Sequence, residues 1–476
     1  MKKLLFAIAV VAGFTSQNLL AQDDMIIQNL NIVPQSYYSN PAYIPQCKIH
    51  VGFPGLSSLY VDGGHTGFNA KNVISVNVLD SVEVDMESLV NHLKKNNYVF
   101  ADVNEEILSF GFKFKEKHYF NFALTEHVSF RFSYPKDLIE FAFYGNGALL
   151  DQTLDIGNFR LNATHYREYA LGYSYQYSPK WTFGTRAKLL FGKANINTKR
   201  SDVTLATESS FFDITATSDI LVNTCELNHM TDSNYEFDAK EYLLNSQNFG
   251  LGLDLGASYK YDEKLTLGLS VLDFGFITWK SDPMNLVSNN PGGTFTYEGI
   301  DAAAFFADST YLDNALDSIA DIFMIDTTYT KYKTMLNTRI QGSAFYAVTP
   351  KNKLSASARI QFFDKGIHPA LSLGYMHKFG DIWHVTATYS MANHNFTNFG
   401  VGFSLKLGFF QLYMMSDNIF APIIWNRYSW TETRDGGEIV DNHFTVPSNW
   451  KYMNFHFGIN FVFGSKPPKD YVPIID

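Results

Sequence analysis

Residues 249–279, FGLGLDLGASYKYDEKLTLGLSVLDFGFITW, constrain the fold of this chain more than any other stretch. In the first arm Phe249, Leu251, Leu253, Leu255, Ala257, Tyr259 and Tyr261 share one parity, and Gly250, Gly252, Asp254, Gly256, Ser258 and Lys260 share the other. Side chains alternate across a strand, so a period of two gathers the apolar set on one face; at 100° per residue it would smear around a helix. After a polar turn at residues 262–264, Leu265, Leu267, Leu269 and Val271 alternate with Thr266, Gly268 and Ser270. The stretch therefore predicts a long β-hairpin. An arm of about 13 residues at ~3.3 Å each spans ~43 Å, enough to cross a membrane at ~45° tilt and about twice the length of a soluble strand.

A soluble β-sandwich or lipocalin-like barrel also alternates, but its apolar face points inward and its other face carries many charges. Here the second face is Gly, Ser and Thr with an occasional charge, which suits a crowded polar lumen with lipid outside. Composition agrees: 16% of the 476 residues are aromatic and only 18% are charged, against ~25% charged in soluble domains. Mean hydropathy is nonetheless -0.11, and no apolar run after the N-terminus is long enough for a transmembrane helix. Alternation explains both facts, because it dilutes hydropathy while keeping a continuous apolar outer surface. The net charge of -10 argues against a nucleic-acid partner.

The start, MKKLLFAIAVVAGFTSQNLLAQ, has two lysines before an apolar run and a cleavage position after Ala21, and reads as a secretory signal over residues 1–21. The mature chain is thus expected in the outer membrane of a Gram-negative cell, in contact with lipid. Cys47 and Cys225 are far apart in sequence and are expected as isolated buried thiols rather than a disulfide. Residues 22–47 contain Pro34, Pro41 and Pro45 without sustained alternation; they read either as a hatch inside the barrel or as a periplasmic tail.

Tight turns are expected at 115–118, 178–181, 262–264, 349–353, 379–382 and 407–408, with longer connections between them. Barrels keep short turns on the periplasmic side and long loops outside. Applying that rule closes the parity at about fourteen antiparallel strands (12 to 16), the first from about Val51 and the last from Lys451 to Phe463. Residues 464–476 are left as a periplasmic tail. Met86 to Lys95 have a short helical pattern within a loop. The long loop 280–337 places Leu312, Leu316, Ile319 and Phe323 on one helical face. Glu126 interrupts the apolar face of Phe122, Leu124, Val128 and Phe130, and belongs near an interface or a loop, because a charge at mid-membrane is costly.

No HExxH, paired CxxC, GxSxG or phosphate-binding glycine loop occurs. His127, His384 and His456 have lumen parity, and His165, His229, His368 and His394 lie in or near loops. The chain is read as a non-enzyme with no catalytic residues, metal site or cofactor. Lumen parity also holds Arg131, Arg186, Lys188, Asp254, Lys260, Arg359 and Lys406. Along an open path this excess of cations would favour anionic solutes; the alternative is that they pair with carboxylates and seal the barrel.

The LLAQ signal end, NPAYIP at 40–45, VGFPGLSSL at 51–59, SVLDFGFITW at 270–279 and TFTYEGID at 294–301 together resemble the FadL/PorV-like outer-membrane barrels of bacteria that use type IX secretion. The branch most resembled has no assigned activity. The resemblance covers nearly all the mature chain and implies a fourteen-stranded barrel with an N-terminal hatch. It implies either of two roles: uptake of small hydrophobic or amphipathic compounds, or a non-transporting scaffold or carrier for secretion or gliding proteins. For uptake, the hatch tyrosines Tyr37, Tyr38 and Tyr43 are the candidate ligand-lining residues.

Overall fold

A computed structural model describes residues 25–30, 32–68, 73–76, 82–209, 214–227, 238–297, 325–363, 366–392, 395–419, 425–433, 439–447 and 451–464. The expected signal sequence, the helical face at 312–323, His229, His394 and the tail beyond Gly464 lie outside them.

The sheet closes on itself with fourteen antiparallel strands. The first, β1, comes in two segments, Ile49–Gly52 and Ser58–His65. Then follow β2 Asn96–Phe114, β3 His118–Pro135, β4 Arg160–Gln176, β5 Trp181–Thr207, β6 Asn248–Lys260 and β7 Leu265–Trp279. The second half is β8 Arg339–Thr349, β9 Asn352–Phe363, β10 Gly366–Phe379, β11 Trp383–Ala392, β12 Asn395–Leu407, β13 Phe410–Ser416 and β14 Tyr452–Phe463. Each strand pairs with its sequence neighbour, and β1 pairs with β14 from Ile49↔Phe463 to Gly64↔Tyr452. Closure leaves the fourteen barrel strands without a free edge to template aggregation.

The tight turns are where the alternation predicts them. Asp262 accepts backbone hydrogen bonds from Lys264 and Leu265 at 2.8 and 2.7 Å, the side-chain mimic of a turn. Leu407 pairs with Phe410 around Gly408, whose φ of 62° is required at the first central position of a two-residue hairpin loop. At the other end the strands run longer than expected: β2 begins at Asn96, and β5 continues to Thr207, where Ile214–Cys225 pairs back along it. That return strand also pairs with Pro283–Ser288 and Gly293–Tyr297, and Pro283–Ser288 with Ile325–Thr328. Much of the described 280–337 segment is therefore β-structure extending the barrel wall outward, rather than a simple loop. Met86–His92 forms the short helix, capped by Asp85 through Ser88 N–H at 2.8 Å.

The outer surface is apolar. Phe110, Leu171, Leu255 and Leu269 are 44, 65, 49 and 58% exposed, and aromatic pairs such as Phe112–Phe120 at 5.4 Å and Phe110–Phe122 at 5.5 Å cross between strands. Rings crowd the turn end, with Trp181 4.5 Å from Tyr259 and Phe120 5.0 Å from Tyr173. A second tier joins Tyr169, Phe191 and Phe249 at 5.6 and 5.8 Å. An apolar band between aromatic girdles is the lipid-facing surface of an outer-membrane barrel.

Glu126 lies just beyond the upper tier on this outer face. Arg167 on β4 bonds it, His165 Nε2 sits 3.2 Å from its Oε2, and Tyr242 of the short helix Ala239–Leu244 meets His165 Nδ1 at 2.8 Å. At ~2.5 Å of height per tilted residue, roughly nine residues above the turn is ~22 Å, near the top of a ~25 Å band. His165 is thus a strand residue facing outward rather than in a loop, and His368 is a buried strand residue near the start of β10 at Gly366. Cys47 and Cys225 are free and buried.

Candidate functional site

Residues 25–30 and 32–46 fill the lumen. Two 3-10 turns, Ile27–Leu30 and Pro34–Tyr38, fold this segment into a plug, and Pro34 opens the second with its fixed φ. Ile26, Ile27, Leu30 and Val33 pack on Tyr413 and Met415 of β13, and Met25 packs on Ala370 and Ala392. Elsewhere the contacts are polar. Gln35 exchanges hydrogen bonds with Asn460 at 2.9 Å, Asn40 Nδ2 donates to the carbonyls of Ala257 and Leu269, and Ser174 and Ser270 donate to the Pro41 and Ser39 carbonyls.

The NPAY element sits in a cradle of wall glycines. A Cβ on Gly184 would lie 2.1 Å from the Pro41 carbonyl oxygen, on Gly256 2.2 Å from Asn40 Oδ1, and on Gly268 2.5 Å from Tyr43 Oη. Only glycine permits this close approach. Tyr43 is fully enclosed, with its hydroxyl 2.7 Å from Ser343 Oγ; burial pushes its phenol up to about 12.

Tyr37 and Tyr38 converge on one carboxylate. Their hydroxyls donate to Glu106 Oε2 at 2.5 and 2.6 Å, and Gln35 Nε2 donates to Oε1 at 3.0 Å. Burial, and then the Glu106 charge, hold both phenols well above their ordinary value, so they stay neutral donors. Immediately outside Glu106 strand β1 is irregular, although Phe53 N–H to the Ile459 carbonyl at 2.9 Å and Ile459 N–H to the Leu56 carbonyl at 2.8 Å still tie it to β14. Residues 53–57 interrupt β1, Gly55 takes a φ of 74°, its N–H donates to the Ile107 carbonyl at 2.8 Å, and Ser57 Oγ donates to the Glu106 carbonyl at 2.6 Å. On the other side of Ile107 the β2–β3 ladder shifts register between Glu106 and Leu108. Two irregularities in adjacent strands thus coincide with the carboxylate that holds the hatch.

Above the clasp lies a charge cluster. Arg186 is fully buried, its guanidinium 4.4 Å from the Tyr37 ring and 4.8 Å from that of Tyr38, with Glu168 and Asp254 oxygens at 3.8 Å. Lys188 Nζ reaches Asp254 at 2.9, Asp273 at 2.5 and Glu168 at 3.4 Å, and Arg339 reaches Asp273 at 2.6 Å. Of the residues with lumen parity, Arg186, Lys188 and Asp254 meet here. Arg131 lies nearer the outer mouth, 4.0 Å over the Phe363 ring. Arg359 is buried in β9, while Lys260 and Lys406 are half-buried near the turn end. Arg186 and Lys188 are matched by carboxylates of the wall itself.

Glu106 and Asp273 escape a parity reading for one reason. Counted from Phe110 on β2, and from Leu269 and Val271 on β7, both belong on the lipid face. A bulge at Ile107 and another at Asp273, whose φ is 57°, turn each inward. The second bulge also buries Trp279 and exposes Phe274. Glu168 had lumen parity in plain view, between Tyr169 and Arg167.

Above the hatch is a cavity of about 300 Å³ lined by Tyr38, Asn104, His127, Tyr166, Lys188 and Gln361 among others. Among the described residues, no group of three His, Cys, Asp or Glu side chains could hold a metal.

Fold and site together define a hatch-plugged outer-membrane β-barrel. Residues 41–417 match the family described as "Family of unknown function (DUF5723)", and the chain belongs to that family. No curated protein matches it. Among solved structures it is similar to a Pseudomonas aeruginosa FadL homologue, with 9% identity, 91% of this chain and 94% of that chain covered, and a TM-score of 0.41. It is also similar to the Pseudomonas putida toluene transporter TodX (9%, 94% and 95%, 0.39) and the Ralstonia pickettii toluene transporter TbuX (11%, 91% and 94%, 0.40).

Proposed function

We propose that this barrel is a hatch-gated conduit for small hydrophobic or amphipathic compounds in the outer membrane. The observation that carries the reading is the Glu106 clasp: one wall carboxylate takes three hatch hydrogen bonds directly behind the interruption of β1. A hatch held largely by polar contacts is exchangeable, because water replaces each neutral bond at a net cost of ~0.5–1.5 kcal/mol and each bond to Glu106 at ~1.5–3 kcal/mol. Release of Tyr37 and Tyr38 would free the lumen and unbrace the 53–57 interruption, giving a compound a sideways route into lipid. The tyrosines then line the path as gate residues. The test is uptake of a fluorescent alkyl probe by cells that carry the barrel, cells that lack it, and cells with Tyr37→Phe/Tyr38→Phe. Faster uptake with the barrel, and faster still with the double variant, supports the conduit; equal uptake in all three refutes it.

A second reading is favoured by the outward wall extension formed by Ile214–Cys225, Pro283–Ser288 and Ile325–Thr328, which offers a docking face over a sealed lumen. With the resemblance to PorV-like barrels it supports a scaffold for secretion or gliding proteins. Native purification in mild detergent followed by mass spectrometry separates the two: a stoichiometric protein partner favours the scaffold, a lone barrel carrying a lipophilic compound the conduit.

A further inference from the structure

The cavity above the hatch differs in kind from a hydrocarbon pocket, and its unused polar atoms indicate what it takes. At about 300 Å³ it lies at the lower end of the range that holds a small organic ligand. Four cations in or beside it face carboxylates. Lys188 is shared by Asp254 and Asp273, Arg339 is held by Asp273, Arg186 lies between Glu168 and Asp254, and Arg160 Nη2 is 3.9 Å from Asp202. At Lys188, Arg339 and Arg186 a carboxylate or phosphate ligand would have to displace a carboxylate already in place, and a cationic ligand at Asp254 and Asp273 would meet the same obstacle in reverse.

Glu168 is ion-paired to Lys188 and Arg186 but its oxygens make no hydrogen bond, and neutral groups are left over beside it. Asn158 Nδ2, Gln361 Oε1 and His368 Nδ1 are buried against the cavity without a protein hydrogen-bond partner. Gln361 and His368 stand opposite each other on β9 and β10, and are 5% and 3% exposed. Asn197 Nδ2 donates to Asn162 Oδ1 at 3.0 Å, which leaves the Asn162 amino group and a carbonyl lone pair on Asn197. Rings stand among these groups: His127 and Tyr166 stack at 4.6 Å and 13°, and Phe363, with Arg131 4.0 Å over its ring, lies 4.4 Å from His368.

We infer that this vestibule binds a neutral, hydroxyl-rich group, such as the sugar head of an amphipathic glycoside. A hydroxyl both donates and accepts, so it satisfies the Asn158 donor and the Gln361 acceptor alike. The carbon face of a sugar ring lies flat against an aromatic ring, while a bare hydrocarbon would strand these polar atoms at their full desolvation cost. The inference deepens the conduit reading by naming the polar end of its compound, but binding does not depend on transport.

The test uses the full mature chain, purified in an amine-oxide detergent and reconstituted in nanodiscs, with empty nanodiscs as blank. Octyl β-glucoside, octanoate, octyltrimethylammonium and octanol, each below its micelle concentration, share one chain and differ in head. Calorimetry is expected to give the glucoside an affinity at least about tenfold above the other three. Gln361→Leu and Asn162→Leu are each expected to remove most of that advantage while leaving octanoate unchanged. Equal or tighter binding of octanoate or octanol, an unaltered glucoside affinity in both variants, or no binding of any probe overturns the inference. Glucoside binding in nanodiscs without any barrel-dependent uptake by cells would instead sink the conduit and leave the vestibule assignment standing.

Discussion

Replacing Glu106 by glutamine should release the hatch without disturbing the barrel. In the folded chain its carboxylate accepts from Tyr37, Tyr38 and Gln35 at 2.5, 2.6 and 3.0 Å, and it is 1% exposed. Hydrogen bonds to a buried charge contribute ~1.5–3 kcal/mol each. Glutamine keeps one acceptor oxygen but turns a donor toward the remaining partners, so the clasp weakens by ~2–4 kcal/mol on that scale. At 1.4 kcal/mol per tenfold, the open-hatch population rises by roughly 30- to 1000-fold. Ser36→Cys reports it, because Ser36 is fully buried in the second 3-10 turn. Its reaction with a membrane-impermeant thiol reagent requires opening, and the rate follows the open population when reclosing is fast. The native thiols stay nearly silent at pH 8, since burial pushes Cys47 up to about 11 and Cys225 up to about 12. A labelling rate in Glu106→Gln within about threefold of its parent, under conditions where reclosing is fast, would refute the clasp as the principal hatch restraint.

Three further outcomes follow from the same contacts. Gly184→Ala drives a methyl to 2.1 Å from the Pro41 carbonyl oxygen, so it should unseat the NPAY element and raise the conductance of the barrel in planar bilayers, with the β-content by circular dichroism unchanged. Glu126→Ala leaves Arg167 and His165 without their carboxylate on the lipid face; the heat-modifiability midpoint on gels should fall, and Glu126→Asp should restore part of it. Alkaline pH should loosen the hatch: Tyr43 contributes fully below its unfolded value of ~10 and its contribution is lost as pH rises toward about 12. Ser36→Cys labelling in a background lacking Cys47 and Cys225, corrected for the reagent's own pH dependence, should therefore climb over that interval, and a flat profile would contradict the burial assigned to the hatch phenols.

The barrel was legible because alternation is a local signal. The apolar parity of β6 and β7, and the turns at 262–264 and 407–408, require no knowledge of distant residues. The hatch was half legible. Pro34, Pro41 and Pro45 mark residues 22–47 as non-strand, but whether such a segment enters the lumen depends on Gly184, Gly256 and Gly268 facing it from three other strands. The site itself was largely hidden. Arg186, Lys188 and Asp254 had the right parity, yet two of the carboxylates that organise the lumen, Glu106 and Asp273, sit at bulges that invert it. A bulge is one extra residue, and nothing in the alternation announces it until the partner strand fixes the register. The outward β-extension was missed as such because the pairing of Ile214–Cys225 with Pro283–Ser288 joins segments about 60 residues apart in sequence.

In the conduit proposed here compounds cross only when the hatch moves. Ser39 and Ser270 lie against each other, with Ser270 Oγ donating to the Ser39 carbonyl at 2.8 Å. A short reducible cross-link between Ser39→Cys and Ser270→Cys, in a background lacking Cys47 and Cys225, fixes the hatch to β7. Barrel-dependent uptake of the alkyl probe should stop on cross-linking and return on reduction. Uptake that continues unchanged with the hatch fully cross-linked would contradict the gating account.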